Sequence, residues 1–266
     1  MRGYALCITA GVIAGLWLTA SRYARAGGRP GIILDVAAWA IPFGLIGAAA
    51  GAVVQGGARV LASRPDLWSA ARAWDSAMGV PGAVGLGTVG AWIACRRAGI
   101  RLGPVAGAAV PGFAFGAALA YLGGWFSQTA DGHPSGLAWA VQIAPVHRVP
   151  GYENFATFEP VFGYAAVWCA AAGGIGAWAA RRFALPGARA FALLLALTFA
   201  GLFVAEWLLI EPAPRLAGLR ADQWAEAATV AGAAVYLCRT RHRHDPDVIP
   251  PGQVPQQPGP ATIGAP

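Results

Sequence analysis

Seven stretches of mostly apolar residues recur along the chain, near positions 3–21, 31–55, 79–95, 104–126, 160–180, 188–210 and 222–238. A helix needs about 20 such residues to cross the hydrocarbon core of a bilayer. Their apolar residues run right round the helix instead of keeping to one stripe, so in water each would need a protein partner on every face. In lipid they need none, and a helix satisfies its own backbone N–H and C=O groups. Composition agrees: 12% of the 266 residues are charged, against roughly 25% in a soluble domain. Mean hydropathy is +0.53. The fold class predicted is an all-α integral membrane protein with seven transmembrane helices.

Arginine sets the expected orientation. All 19 basic residues are Arg. Arg22, Arg25 and Arg29 follow the first span, Arg96, Arg97 and Arg101 the third, Arg181, Arg182 and Arg189 the fifth, and Arg239, Arg241 and Arg243 the seventh. Cytoplasmic loops carry the excess of Lys and Arg within about 15–20 residues of the spans. Arginines at every second connection therefore predict an outer N-terminus and a cytoplasmic C-terminus. The remaining arginines are diluted by acids such as Asp66, Asp75, Glu153 and Glu211. This accounts for a pI near 9.8 without a nucleic-acid partner. The compartment expected is the bacterial cytoplasmic (inner) membrane.

Residues 1–243 form the expected membrane domain. Two of its outer loops are long: residues 56–78, with Trp68 and Trp74, and a head loop, 127–159, in which "LAWAVQIAP" alternates like a short strand. Residues 244–266 are rich in Pro, Gly and Gln and predict a disordered cytoplasmic tail. The N-terminal span lacks the flank of a cleaved signal peptide and is expected to be retained. Cys7, Cys95, Cys169 and Cys238 lie in apolar segments without metal spacing, so they read as small buried hydrophobes, and no metal site is expected.

Four stretches in order carry a resemblance: "RGYALCITAGV" with Tyr4, "DVAAWAIPFGLIGA" (Asp35–Ala48), "LAWAVQIAPVHRVPGYENFATFEPVFGY" and "GLFVAEWLLIEPAPRLAGLRADQW". Together they resemble the bacterial prolipoprotein diacylglyceryl transferases from about Gly3 to Arg243. The resemblance implies transfer of diacylglyceryl from phosphatidylglycerol to the cysteine of a prolipoprotein, with no metal or cofactor. Such chemistry needs a cationic clamp for the phosphate and help in making the thiolate nucleophile. Phosphatidylglycerol or another membrane lipid and prolipoprotein signal peptides are the partners implied.

The motif residues that would do this work are replaced. The family signature at the outer end of the fourth span reads approximately G-R-W-G-N-x-x-N-x-E. Here its arginine is Tyr121, its asparagines are Gly124 and Ser127, and its glutamate is Thr129. The family's arginine, tyrosine and histidine after "IPFGLIGA" are Ala49, Gly51 and Ala52, and its His-Gly-Gly is Pro81-Gly82-Ala83. An acidic position is Gly107, the His-Pro is Glu159-Pro160 and the Tyr-Glu is Tyr164-Ala165. Two further arginines are Leu202 and Leu209, while Glu206 stays.

Tyr4, Tyr121, Gln128, Glu159 and Glu206 are the candidate cleft residues, with Tyr121, Gly124 and Ser127 at the lipid-binding motif positions. Each has a plainer reading beside the functional one. Glu206 is either a functional acid or an anchor bonded to the loop backbone or to Arg220. Tyr4 and Tyr121 either meet a headgroup or sit in the interfacial aromatic belt. Glu159 could serve as a thiol base; His147 and Arg148 either touch phosphate or hold the head loop. Arg59, Arg64 and Arg148 could swing in to replace the lost cations. Three functions follow: a family member with impaired or lost catalysis that still binds lipid or prolipoprotein, an active transferase with a rearranged site, or a small membrane transporter. The transporter is disfavoured by the absence of an inverted repeat and by the expectation that no span carries paired acids.

Overall fold

The computed structural model describes residues 2–56, 79–128, 131–210 and 215–241. Trp68, Trp74, Arg59, Arg64, Thr129, Glu211 and the 244–266 tail lie outside the described residues. Long helices form at each expected segment: α1 (Arg2–Arg25), α2 (Gly31–Gly56), α3 (Gly79–Arg97), α4 (Leu102–Leu122), α5 (Val161–Arg182), α6 (Gly187–Ala205) and α7 (Ala221–Arg239). Five stretches are long and apolar enough to cross a membrane: Gly3–Arg25, Gly31–Gly51, Leu102–Ser127, Val161–Arg182 and Gly187–Leu208. Among the described residues, α3 and α7 fall short for different reasons. Glycines dilute the hydropathy of α3, and α7 carries Asp222, Glu226 and Arg239.

The helices pack in pairs. α2 lies along α3, α1 along α4, and α4 also meets α5 and α6, while α7 rests on α6. Small residues bring these backbones together, which is how helices gain dispersion contacts where lipid is as apolar as they are. A methyl group on Gly11 of α1 would stand 2.7 Å from the Gly116 carbonyl of α4, and one on Gly15 would stand 2.8 Å from that of Gly112.

One core cluster occupies the arginine-rich end and contains Tyr23, Ile33, Val36, Ala94, Cys95, Ile100, Val105 and Ala108. Arginines there lie over aromatic rings: Arg97 is 4.4 Å from the Trp39 ring centroid and Arg96 is 5.0 Å from that of Trp92. At the opposite end of the bundle, Ala165, Phe199 and Leu202 are packed by Val80, Val84, Tyr121, Leu195 and Val230. Cys95 and Cys169 are buried as expected, but Cys7 is only half-buried and Cys238 is exposed. Exposure on a helix made for lipid leaves a thiol against chains as apolar as a protein core, so burial within the protein is not required there.

The head begins at the C-terminal end of α4. A one-turn helix, Gly124–Ser127, leads to a three-stranded antiparallel sheet in the order β1 (Asp131–Pro134), β3 (Thr157–Pro160), β2 (Val141–Gln142). Phe158 and Ile143 fill its inner side at 1% exposure each. The strand read from "LAWAVQIAP" exists but is two residues long, because Pro145 opens a 3-10 turn just beyond it. Glu153 accepts the Gly151 N–H at 2.9 Å, and backbone N–H groups there hold its carboxyl below the usual carboxylate range. A carboxyl whose folded pKa is depressed contributes stability above its unfolded pKa and loses it as pH falls through the folded value. Hydrogen exchange at the Gly151 amide, corrected for intrinsic pH dependence, should therefore speed up on acidification through and below the ordinary carboxylate range.

A second hairpin, β4 (Arg215–Leu216) and β5 (Leu219–Arg220), turns through Ala217 at φ 50° and Gly218 at φ 85°. Both central residues at positive φ match the turn whose twist suits a two-residue hairpin, where Asn-Gly is preferred. Ala pays for that conformation. Ala217→Asn should stabilise the folded chain by on the order of 1 kcal/mol in thermal unfolding.

Candidate functional site

Four elements deliver polar groups to the end of the bundle that carries the head. α1 brings Tyr4 in its first turn, and α4 brings Tyr121 in its last. The 3-10 turn Glu206–Leu208, which continues α6, brings Glu206. The second hairpin ends on Arg220 and feeds directly into α7, whose first two turns carry Asp222, Gln223 and Glu226. Tyr121 lies within electrostatic reach of Cys169, Glu226, Glu206 and Tyr4. These side chains therefore form one cluster.

Its central contact is an ion pair: Arg220 Nε lies 2.8 Å from Glu206 Oε2, with 9% and 7% of the two side chains exposed. Gln223 fixes the corner, accepting the Arg220 N–H on Oε1 at 3.0 Å and donating from Nε2 to the Phe203 carbonyl at 3.4 Å. Asp222 and Glu226 are also buried, at 1% and 3% exposure, and Glu226 lies within electrostatic reach of Glu206, Asp222 and Arg220. Among the described residues, Glu226 thus stands within electrostatic reach of two further carboxyl groups and one guanidinium. The 3.6-residue helical period explains the arrangement, because residues four apart on α7 share a face. Asp222 and Glu226 point the same way, and Val230, one turn further on, joins the core around Tyr121.

Two sequence expectations are revised here. The last helix does carry paired acids, Asp222 and Glu226; their spacing of four was legible in the sequence, and an acid within a span is a functional hypothesis by default. The anchoring alternative for Glu206, a bond to Arg220, is the contact the structure contains. The sequence named Arg220 as one possible partner of Glu206; the hairpin that brings it back to α6 was not read there.

The remaining candidates divide. Gly124 is buried where the one-turn helix meets α5, and a methyl group on it would stand 2.6 Å from Phe162 Cβ. That approach leaves no room for the asparagine of the family signature. Gly124→Asn should cost about 1–3 kcal/mol as overpacking, read by thermal unfolding, and Phe162→Ala in the same chain should relieve part of it. Ser127 Oγ donates to the Gly124 carbonyl at 3.4 Å. Gln128, at φ 53°, accepts the Ala144 N–H on Oε1 at 3.3 Å and so ties the bundle to the head.

Glu159 stands half-exposed in the central strand of the head, its Cβ facing Gly132. Arg148 is committed to its own loop, with Nε donating to the Ile143 carbonyl at 3.1 Å and Nη1 to that of Glu153 at 2.7 Å. His147 is exposed in the 3-10 turn. The structure brings Tyr4, Tyr121 and Glu206 together and places Gln128 and Glu159 in the head. A recess of about 450 Å³ lined by Gly174, Ala177, Trp178, Arg181 and Arg182 belongs to the arginine-rich end, away from this cluster.

Residues 1–239 match the family model of prolipoprotein diacylglyceryl transferase. The chain is 38% identical over 244 residues to phosphatidylglycerol–prolipoprotein diacylglyceryl transferase 2 of Streptomyces coelicolor, covering 92% of this chain and 77% of that protein. It is 37% identical over 256 residues to the transferase of Streptomyces avermitilis, covering 95% and 74%, and 38% identical over 239 residues to transferase 1 of S. coelicolor, covering 89% and 68%. Apolar helices at the expected positions, a small head and a match along almost the whole chain lead to one conclusion: this multi-pass membrane protein belongs to the prolipoprotein diacylglyceryl transferase family.

Proposed function

We propose that this chain is a member of the family whose transfer reaction is impaired or lost and which retains binding of a membrane lipid, or of a prolipoprotein, in the cleft beside Tyr121. One observation carries the reading: the guanidinium of the cluster, Arg220, is engaged by Glu206 and stands near Asp222 and Glu226. An anionic phosphate entering there would meet more carboxyl groups than cations. Tyr121 stands at the motif position of an arginine, and Arg148 is held by its own loop carbonyls. The seven-span arrangement, the outer N-terminus, the inner-membrane location and the 1–243 domain with its 244–266 tail belong to this reading. They are supported by the alternation of arginine-rich connections.

A second reading has its own support. Relatives 38% identical over about nine-tenths of the chain carry the transferase name, and Arg220 gives the cleft a buried cation. Under that reading the chain is an ordinary phosphatidylglycerol-dependent transferase. Complementation separates the two. In a bacterium depleted of its own transferase, this chain at confirmed membrane abundance should fail to support growth and lipoprotein processing. Rescue to the level of the resident enzyme would establish the second reading.

A further inference from the structure

The last turns of α5 border a recess that has no part in the cluster around Tyr121. It measures about 450 Å³ and is lined by Gly174, Ala177, Trp178, Arg181 and Arg182. Its charge has one sign. Arg22 of α1 stands within electrostatic reach of Arg181 and of Arg25, and its Nε is buried with no hydrogen-bond partner among the described residues. Among those residues, none of Arg22, Arg181 and Arg182 is paired with a carboxylate. A helix C-terminus favours a nearby cation, but guanidinium groups gathered from two helices also repel one another. An anion set beside them turns that repulsion into attraction.

The recess has the shape for more than a bare anion. Gly174 and Ala177 give it little bulk, and a methyl group on Gly174 would meet nothing within 4 Å. Trp178 stands edge-on to Phe183 with ring centroids 5.9 Å apart, and Arg182 lies 5.6 Å from the Phe183 centroid. Both rings are exposed, as aromatics at headgroup level are. Gly173 and Gly176 turn toward α4 and α6, while Val167, Ala171 and Ile175 are exposed on the same side as Trp178. From Ala171 to Arg181 the helix rises about 15 Å, half the depth of a hydrocarbon core about 30 Å thick. A chain lying on that stripe therefore ends at the level of the guanidinium groups.

We propose that this recess binds an anionic phospholipid of the surrounding bilayer, its phosphodiester held by Arg181 and Arg182 with Arg22 adding charge behind them, and an acyl chain on the exposed stripe of α5. The site lies at the opposite end of the bundle from the cluster around Tyr121 and does not depend on whether the transfer reaction is retained. Arginine suits it because a planar guanidinium can meet two phosphate oxygens at once. A lipid is favoured over free phosphate because the recess runs out onto apolar surface. A net negative headgroup is favoured over a zwitterionic one because an ammonium there would face further cations. A symmetric second copy of the chain would set these arginines against their own kind.

The test uses the full chain in nanodiscs holding equal parts of phosphatidylcholine, phosphatidylglycerol and phosphatidylserine with identical acyl chains. Native mass spectrometry of the released protein should show each anionic lipid retained about tenfold over phosphatidylcholine, a ratio set by one charge-assisted hydrogen bond. Phosphatidylserine keeps this site apart from the cleft beside Tyr121, for which the family implies phosphatidylglycerol. Arg181→Gln combined with Arg182→Gln should abolish the preference for both lipids. Gly174→Leu, which fills the recess and leaves every charge in place, should weaken it. Arg239→Gln, at an exposed arginine ending α7, should leave it intact.

Equal retention of the three lipids overturns the proposal, as does displacement by millimolar inorganic phosphate. Equal losses in Arg239→Gln and in the double variant would reduce the effect to general surface charge and overturn it too. So would retention of phosphatidylglycerol alone that survives the double variant, since that lipid would then sit elsewhere. The wild-type comparisons stand even if a variant does not fold. A transfer assay on the same nanodiscs bears on the proposed loss of catalysis only, and a missing headgroup preference defeats this inference only.

Discussion

Supplied with phosphatidylglycerol and a lipobox peptide, the purified chain should transfer diacylglyceryl roughly 10²–10⁴-fold more slowly than a family member that keeps the signature arginine and asparagines. The range follows from counting contacts. A hydrogen bond to a charged group contributes about 1.5–3 kcal/mol, and about 1.4 kcal/mol is a factor of ten in rate. Tyr121, Gly124, Leu202 and Leu209 stand where the family resemblance places polar or cationic residues. Losing two such contacts from the transition state is enough for the range given. The cluster offers no replacement, since Arg220 is spent on Glu206 and Arg148 on backbone carbonyls of the head. Single-turnover measurement of thioether formation at matched protein concentration is the relevant readout. Turnover within tenfold of the intact family member would show that Arg220 or another cation reaches the phosphate after all.

Arg220→Met should destabilise the folded chain by about 3–5 kcal/mol, because removing one partner of a buried ion pair leaves the other charge uncompensated. Here the consequence is aggravated: Glu206, Asp222 and Glu226 would be left together without their guanidinium. Glu206→Gln should cost less, since Arg220 would still face Asp222 and Glu226. A chain carrying Glu206→Gln with Arg220→Met should recover much of the loss, giving a coupling energy well outside the additivity expected of independent sites. Arg220→Lys should fall between, because a point charge replaces a planar fork. Thermal or denaturant unfolding in one detergent measures all four. A loss below about 1 kcal/mol for Arg220→Met would mean that the pair is solvated like a surface salt bridge and that the cleft is wetter than its burial implies.

Substitution and packing are coupled at two of the positions where the family resemblance places the signature. Tyr121 contributes to an apolar cluster with Phe199 and Leu202, so the signature's arginine position has been absorbed into the core. Gly124 lies against Phe162, so restoring asparagine would require α5 to move. On the proposed reading, restoring the signature would therefore need several simultaneous changes, with single reversions costing stability first.

How much of this was legible in advance depends on the physical range of each signal. Helix positions could be read directly, because a run of apolar residues about twenty long has one economical fate in a bilayer. The arginine alternation predicted which ends cluster, and the core around Tyr23 and Cys95 does lie at the arginine-rich end. The replacement of the motif cations rests on the family resemblance, residue by residue. The head could be seen only as a loop with a hint of strand, since two- and four-residue strands carry too little pattern to count.

The sequence by itself determined a chain of membrane helices in this family, because those properties depend on residue type and near neighbours. Tertiary structure alone decided that Arg220 returns to Glu206, that Asp222 and Glu226 turn inward beside them, and that Gln128 and Glu159 belong to the head. Such contacts join segments far apart along the chain, and their geometry is set by a two-residue turn at Ala217 and Gly218 and by backbones brought close at glycines. No periodicity records that information; it resides in how the helices lie against one another.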